Sequence, residues 1–287
     1  MPDELTKLVE AELSQPVDPK VTGMAEAIAD RHGAASRAVL FYGSCLREKQ
    51  LEGLMLDFYL IVSDYGAAYD KGWLAKANAL IPPNVFPFHH DGLAAKYAVL
   101  SEADFHRLNG PETRNVSVWA RFAQPSRLVW SRDNAARERA IAAVARATPA
   151  LLAAARPYPN GDELEPWRHA FSLTYSAELR AERKGRSGSL VDIDPDRYRR
   201  FLAPAIAAIE PNAAQGEWPR RRLEGKLLSV ARLAKASLTY AGGAEYIAWK
   251  INRHAGTDIK LKPWQKRHPL LAAISLLPRL LRSGAIR

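Results

Sequence analysis

A glycine and a serine stand directly after one short apolar run, and an aspartate lies inside the next. The first run, 38–42, ends at Gly43-Ser44, and Asp57 lies within the run 54–62. A Gly-Ser turn can offer backbone N–H groups and a hydroxyl to a phosphate, because glycine lets a ligand approach the chain closely. An aspartate in an apolar strand needs a cation or hydrogen-bond donors. The pattern indicates phosphate and metal-ion chemistry, with an ordinary tight turn and a hydrogen-bonded core aspartate as the alternative.

The elements that must position these residues follow from hydrophobic periodicity. Helical spacing covers 4–31 with a break near Gln15-Pro16, and a further helix over 69–80 ends before Pro82-Pro83. An alanine-rich helical pattern runs from 134 to 155. Strands are predicted at 38–42, 54–62, 96–100 and 126–130. The His89-His90 pair is predicted to lie in a loop, since adjacent side chains diverge and no third metal ligand has a suitable spacing.

Composition excludes several classes of protein. The chain has 287 residues, of which 47% are hydrophobic, and this excludes an intrinsically disordered chain. One cysteine excludes an internal disulfide and a cysteine-rich metal site, and a reducing compartment is expected. The sequence contains no run of about 18 apolar residues, so no membrane-spanning helix is predicted. Residues 1–12 do not have the pattern of a signal peptide.

The Gly43-Ser44 turn followed by Asp57 resembles the nucleotidyltransferase motif, in which Gly-Ser holds a triphosphate and strand carboxylates hold magnesium. That superfamily usually has a second acid two residues after the first, where this chain has Tyr59. The wider context is similar to the mitochondrial translocator assembly and maintenance family, and the chain resembles a bacterial-type member from about residue 39 to residue 204. The matching segments are Tyr42-Gly43-Ser44, Leu56-Asp57-Phe58, Lys96-Tyr97 and 173–180.

Members of that family are peripheral CDP-diacylglycerol synthases, and they usually lack the second acid. The resemblance implies a Mg²⁺-dependent phosphatidate cytidylyltransferase, which makes CDP-diacylglycerol and pyrophosphate from CTP and phosphatidate. It implies catalytic roles for Asp57, Glu178 and Lys96, magnesium ligation by Asp57 and Glu178, and nucleotide binding by Tyr42, Gly43, Ser44 and Arg180. Glu178 stands where the family has aspartate, and it is either a metal ligand or the anchor of a basic group. Cys45 stands where the family usually has glycine and is expected to be a small tolerated residue.

The expected fold is α+β, in three parts. A nucleotidyltransferase-like mixed sheet with helices is predicted for 1–156. A mainly helical domain, with a winged-helix arrangement as one option, is predicted for 157–259. The boundary is set by Pro157–Gly161, which combines two prolines with a glycine. An amphipathic basic segment forms the third part, 260–287.

The positive charge is concentrated at one end of the chain. The formal net charge is +10, and residues 218–287 contain 15 Lys or Arg against three acids. Within this region a short apolar stripe with flanking basic residues is typical of a helix that lies on an anionic membrane surface. Its predicted membrane-contacting residues are Trp264, Lys266, Arg267, Leu270, Leu271, Ile274, Leu277 and Arg279. A core helix or a dimer contact is the alternative.

The predicted partners are CTP, phosphatidate and an anionic membrane surface, with no stable nucleic-acid partner. The predicted location is peripheral, on the cytoplasmic face of the inner membrane. Two alternatives remain open. The chain could be a nucleotidyltransferase acting on RNA or a small molecule, or a catalytically inactive relative that binds nucleotide or membrane.

Overall fold

The computed structural model describes residues 3–48, 50–178, 186–211, 213, 216–239 and 262–263. Five strands form one mixed sheet in these residues, in the order β3-β4-β2-β1-β5. Their bounds are β1 Ser36–Tyr42, β2 Met55–Val62, β3 Asn84–His90, β4 Leu93–Ser101 and β5 Ser126–Ser131. β2 and β4 are parallel, whereas the other neighbouring pairs are antiparallel. The predicted α+β class is therefore confirmed.

The prediction for the segment that contains His89-His90 was wrong. Both histidines lie at the end of β3, which forms a hairpin with β4 through Asp91 and Gly92. The turn residues have φ values of 46° and 74°, as a tight hairpin turn requires. Pro87 and the histidines obscured the strand pattern, but β3 lies at the sheet edge, where a missing backbone donor is tolerated.

Helices precede, interrupt and follow the strands. Aspartates cap the first two: the Asp3 carboxylate accepts from the Thr6 N–H, and the Asp18 carboxylate accepts from the Lys20 N–H. Short 3₁₀ turns cover Gly33–Ala35 and Ser44–Arg47. The α-helices are α1 Glu4–Leu13, α2 Pro19–Asp30, α3 Tyr65–Ala68, α4 Gly72–Leu80, α5 Glu102–Asn109, α6 Trp119–Phe122, α7 Asn134–Ala145, α8 Ala147–Ala154, α9 Glu165–Ala177, α10 Arg186–Ile193, α11 Pro195–Ala207 and α12 Trp218–Thr239.

The sheet separates two hydrophobic cores, because alternate residues of each strand face opposite sides. On β2, Phe58 and Leu60 belong to the core that α2 covers with Met24 and Ile28. Tyr59 belongs to the other core, which is built by α1, α5, α6, α7, α8, α9 and α11. By the same alternation, Asp57 faces this second, helix-rich side.

The core on the helix-rich side includes residues from both sides of the predicted boundary at 156/157. Leu40 and Tyr59 of the sheet share it with Trp167 and Phe171 of α9. The division into three parts remains a prediction. None of the described helices is both long enough and apolar enough to cross a bilayer.

Candidate functional site

Strand register brings three of the predicted site residues side by side. Asp57 is the pairing partner of Tyr42 on β1 and of Lys96 on β4. Paired residues on neighbouring strands project to the same face. The Lys96 Nζ lies 2.8 Å from Asp57 Oδ1, and the two side chains are 24% and 22% exposed. Both side chains of the ion pair are therefore partly exposed, although they lie on two interior strands of the sheet.

The turn after β1 requires glycine. Gly43 has φ +95°, and a Cβ added there would lie 3.3 Å from Asp57 Oδ2. A larger residue would be strained by this backbone conformation and would crowd the carboxylate. Ser44, which begins the 3₁₀ turn, is exposed. The Gly-Ser turn and the Asp57 carboxylate are thus adjacent, as the chemistry suggested by the sequence would need.

Cys45, by contrast, is a buried structural residue. Its Sγ is 3.5 Å from the Met55 carbonyl oxygen, to which it donates. Burial, followed by the negative charge of Asp57, raises the pKa of the thiol. The residue is therefore protonated near neutral pH and is unsuited to act as a nucleophile.

Two tyrosines whose rings are in tilted contact continue the site along the sheet. The ring centroids of Tyr42 and Tyr59 lie 5.3 Å apart. Burial, with Asp57 next, raises the pKa of Tyr42 well above its usual value, and burial also raises that of Tyr59. Both hydroxyls therefore stay protonated and can donate hydrogen bonds. Tyr59 occupies the position of the second acid in the nucleotidyltransferase motif.

Glu178 lies at the end of α9 and pairs with a residue that the sequence analysis did not select. Its carboxylate is 3.3 Å from Arg121 Nη1, and the Glu178 side chain is 8% exposed. Burial disfavours the charged guanidinium, but Glu178 and the nearby tyrosines outweigh this, so the pKa of Arg121 is raised. Arg121 lies in the apolar segment Trp119–Phe122, and a cation inside such a segment was the signal available in the sequence.

Helix α12 brings further cations to this side of the molecule. A Cβ added to Gly225 would lie 2.2 Å from the Ala177 carbonyl oxygen, so α12 packs tightly on the end of α9. Arg232 donates to Ser117 Oγ at 2.8 Å and to the Pro82 carbonyl at 2.7 Å. These contacts join α12 to the segment before α6 and to the loop before β3.

The protein-facing side of α12 is cationic at several positions. Arg221 is 2% exposed and donates to the Gly216 and Arg114 carbonyls at 2.9 and 3.1 Å. Lys235 is 8% exposed and donates to the Ile81 and Pro83 carbonyls. Burial lowers the pKa of Lys235 to about 7. Part of the C-terminal positive charge is therefore internal.

The described residues contain no group of three or more His, Cys, Asp or Glu that could enclose a metal ion. Magnesium does not need one, because it is commonly held by one or two carboxylates together with substrate phosphates. Asp57 Oδ1 is buried and makes no hydrogen bond within the described part of the chain, although Lys96 lies beside it. Asp57 therefore fits an ion shared with a nucleotide. Glu178, which is paired with Arg121, fits such an ion less well.

The remaining predicted site residues lie outside the described residues. Arg180 follows Glu178 in the gap from 179 to 185, and the predicted membrane-contacting residues all lie beyond 263. A cavity of about 220 Å³ lies elsewhere, beside Arg146 and Glu210, and contains none of the predicted site residues.

Comparisons with known proteins give a weak similarity to solved structures. No protein-family model matches the chain, and no curated protein matches it. Among solved structures, the chain is similar to a nucleotidyltransferase-like protein from Exiguobacterium sibiricum 255-15, with 10% identity, a TM-score of 0.28 and 92% of each chain covered. A similarity at this level does not carry a functional assignment. We therefore base the proposed function on the geometry of the site.

Proposed function

We propose that the protein is a Mg²⁺-dependent nucleotidyltransferase that transfers a cytidylyl group from CTP to phosphatidate. The observation that carries the proposal is the Asp57–Lys96 pair, which lies directly beside the Gly43-Ser44 turn. A carboxylate, an ammonium and a glycine turn can together bind a metal ion and a triphosphate. The choice of CTP and phosphatidate rests on the family resemblance of the sequence segments.

The proposed reaction needs positioning more than proton transfer. A phosphatidate oxygen, already anionic near neutral pH, forms a bond to the α-phosphorus of CTP, and the bond between the α-phosphorus and the bridging oxygen breaks. Pyrophosphate leaves with that electron pair. Catalysis then consists of aligning the two phosphates and offsetting their charge.

Each residue around Asp57 has a role in this proposal. The Gly43-Ser44 turn offers N–H and hydroxyl donors to the triphosphate, and Lys96 contacts its oxygens. Asp57 would hold magnesium, which supplies positive charge at the leaving pyrophosphate. Because Glu178 pairs with Arg121, we assign it as the anchor of that basic group rather than as a metal ligand.

A direct assay tests the proposal. Wild-type protein incubated with phosphatidate vesicles, labelled CTP and MgCl₂ is expected to give labelled CDP-diacylglycerol, separated by thin-layer chromatography. Chelation of magnesium with EDTA should abolish the product. Parallel reactions with short RNA or glycerol 3-phosphate test other acceptors. Absence of CDP-lipid under all conditions would refute the proposed function.

Membrane docking through 260–287 is a separate part of the proposal. Replacing Lys266, Arg267 and Arg279 by Gln is expected to weaken binding to anionic vesicles at least tenfold, since each basic residue near the surface contributes about 1 kcal/mol. Vesicle co-sedimentation measures the effect. The control replaces three exposed lysines, Lys7, Lys71 and Lys76, by Gln. Equal losses in both triple variants would show that general charge, and not this segment, governs binding.

A further inference from the structure

Two guanidinium groups converge on one residue beside the proposed active site. Arg121 Nη1 donates to the backbone carbonyl of Ser117, and Arg232 Nη1 donates to its hydroxyl at 2.8 Å. Arg121 belongs to α6 and Arg232 to α12, about 110 positions apart in the chain. Because both arginine side chains donate hydrogen bonds to the same serine, their positive charges are held close together.

The charges in this cluster do not balance. Arg121 pairs with Glu178, whereas the hydrogen-bond acceptors of Arg232 are the neutral Ser117 hydroxyl and Pro82 carbonyl. No carboxylate of the described residues lies within 4.0 Å of Arg232. Burial, with the charge of Arg121, lowers the pKa of Arg232. Two cations therefore share one carboxylate in a largely desolvated place, where a further anion would be favourable.

The cluster lies on the same face of the sheet as Asp57 and is partly exposed. Both guanidinium groups and Glu178 act electrostatically on the hydroxyl of Tyr59, which is two residues along β2 from Asp57. Two residues of a strand span roughly 7 Å. The Arg121 side chain is 30% exposed, whereas the Glu178 side chain is 8% exposed, so solvent reaches the cluster from the arginine side.

From this placement we infer that Arg121 and Arg232 bind the phosphate monoester of the acceptor. A guanidinium group can donate hydrogen bonds to two phosphate oxygens at once, and two guanidinium groups match the double negative charge of a phosphate monoester. The Gly43-Ser44 turn and Lys96, which lie beside Asp57, are left for the nucleotide. That the bound phosphate belongs to the acceptor rests on the proposed function. Phosphate binding by the two arginines does not depend on that function.

The test is calorimetric titration of the full chain with three probes: inorganic phosphate, glycerol 3-phosphate and CTP with magnesium. In Arg232→Gln, the Kd for both phosphates is expected to rise at least tenfold, while that for CTP changes less than twofold. Arg232→Lys should bind phosphate more tightly than Arg232→Gln, because lysine keeps the positive charge but cannot donate to two phosphate oxygens as a planar guanidinium does. The control is Arg222→Gln on the exposed side of α12, which should match the wild type.

The outcomes separate the possible sources of the anion and the two proposals. Tighter binding of glycerol 3-phosphate than of inorganic phosphate would support a lipid headgroup, and equal binding would support a general phosphate site. Unchanged phosphate affinity in a folded Arg232→Gln or Arg232→Lys protein would overturn the inference, as would an equal loss of CTP binding. Phosphate binding that depends on Arg232 in a protein without cytidylyltransferase activity would uphold the site and reject only the proposed reaction.

Discussion

The Asp57→Asn variant is expected to make CDP-diacylglycerol about 1,000-fold more slowly than the wild type. Asparagine keeps the size of the side chain but removes the charge that would hold magnesium beside the triphosphate. Loss of such charge stabilisation costs several kcal/mol in the transition state, and each 1.36 kcal/mol is a factor of ten in rate. The measurement is kcat in the labelled-CTP assay at saturating magnesium.

The matched control is Asp70→Asn, because Asp70 is exposed and lies outside the site. That variant should retain wild-type activity. Circular dichroism and a thermal melt must show that Asp57→Asn remains folded, since Lys96 loses its counter-charge. Equal activity of a folded Asp57→Asn protein and the wild type would exclude Asp57 from the chemistry.

The second large effect is expected on stability, at an ion pair between α1 and α11. Arg197 of α11 pairs with Glu12 of α1, and the two side chains are 3% and 11% exposed. Arg197 also donates to the Ala123 carbonyl at 3.0 Å, and its guanidinium lies 4.4 Å from the Phe201 ring centroid. Burial disfavours the charged form of Arg197, but the nearby Glu12 carboxylate favours it more strongly, so the pKa of Arg197 is raised.

Glu12→Gln is therefore expected to lower the free energy of unfolding by about 3 kcal/mol. The substitution preserves shape but leaves a buried guanidinium without a counter-charge, which is the costly way to break such a pair. Urea denaturation followed by tryptophan fluorescence measures the change.

Glu10→Gln provides the matched control on the same helix. Glu10 lies 3.5 Å from Arg137 in a half-exposed pair, and its loss should cost less than about 1 kcal/mol. A change in the unfolding free energy of less than 1 kcal/mol in Glu12→Gln would contradict the expected role of this pair.

The sequence predicted the strands that carry the site because each is a short run rich in aliphatic and aromatic residues. The runs at 38–42 and 54–62 became β1 and β2, and the run at 96–100 became part of β4. The pairing of Asp57 with Lys96 was not predictable, since periodicity does not specify which strands become neighbours. β3 escaped detection because Pro87 and two histidines interrupt its pattern.

The arginine pair was not predictable for a different reason. Arg121 and Arg232 meet only through tertiary packing of α6 and α12. A basic helix is usually read with its charges facing solvent and its leucines facing the core. In α12, however, Leu223 and Leu227 are 63% and 61% exposed, whereas Arg221 and Lys235 are buried. Packing and carbonyl acceptors override the simple amphipathic pattern here.

The inward cations of α12 change how ionic strength should act on the protein. Dissolved salt screens charges that face water over a Debye length of about 8 Å at physiological concentration. Arg221 and Lys235 are buried and held by backbone carbonyls, so salt screens them less than it screens exposed cations. Neither side chain is free to form a direct contact with a polyanion on the outside. The net charge of the last quarter of the sequence thus overstates the number of cations that such a partner can contact.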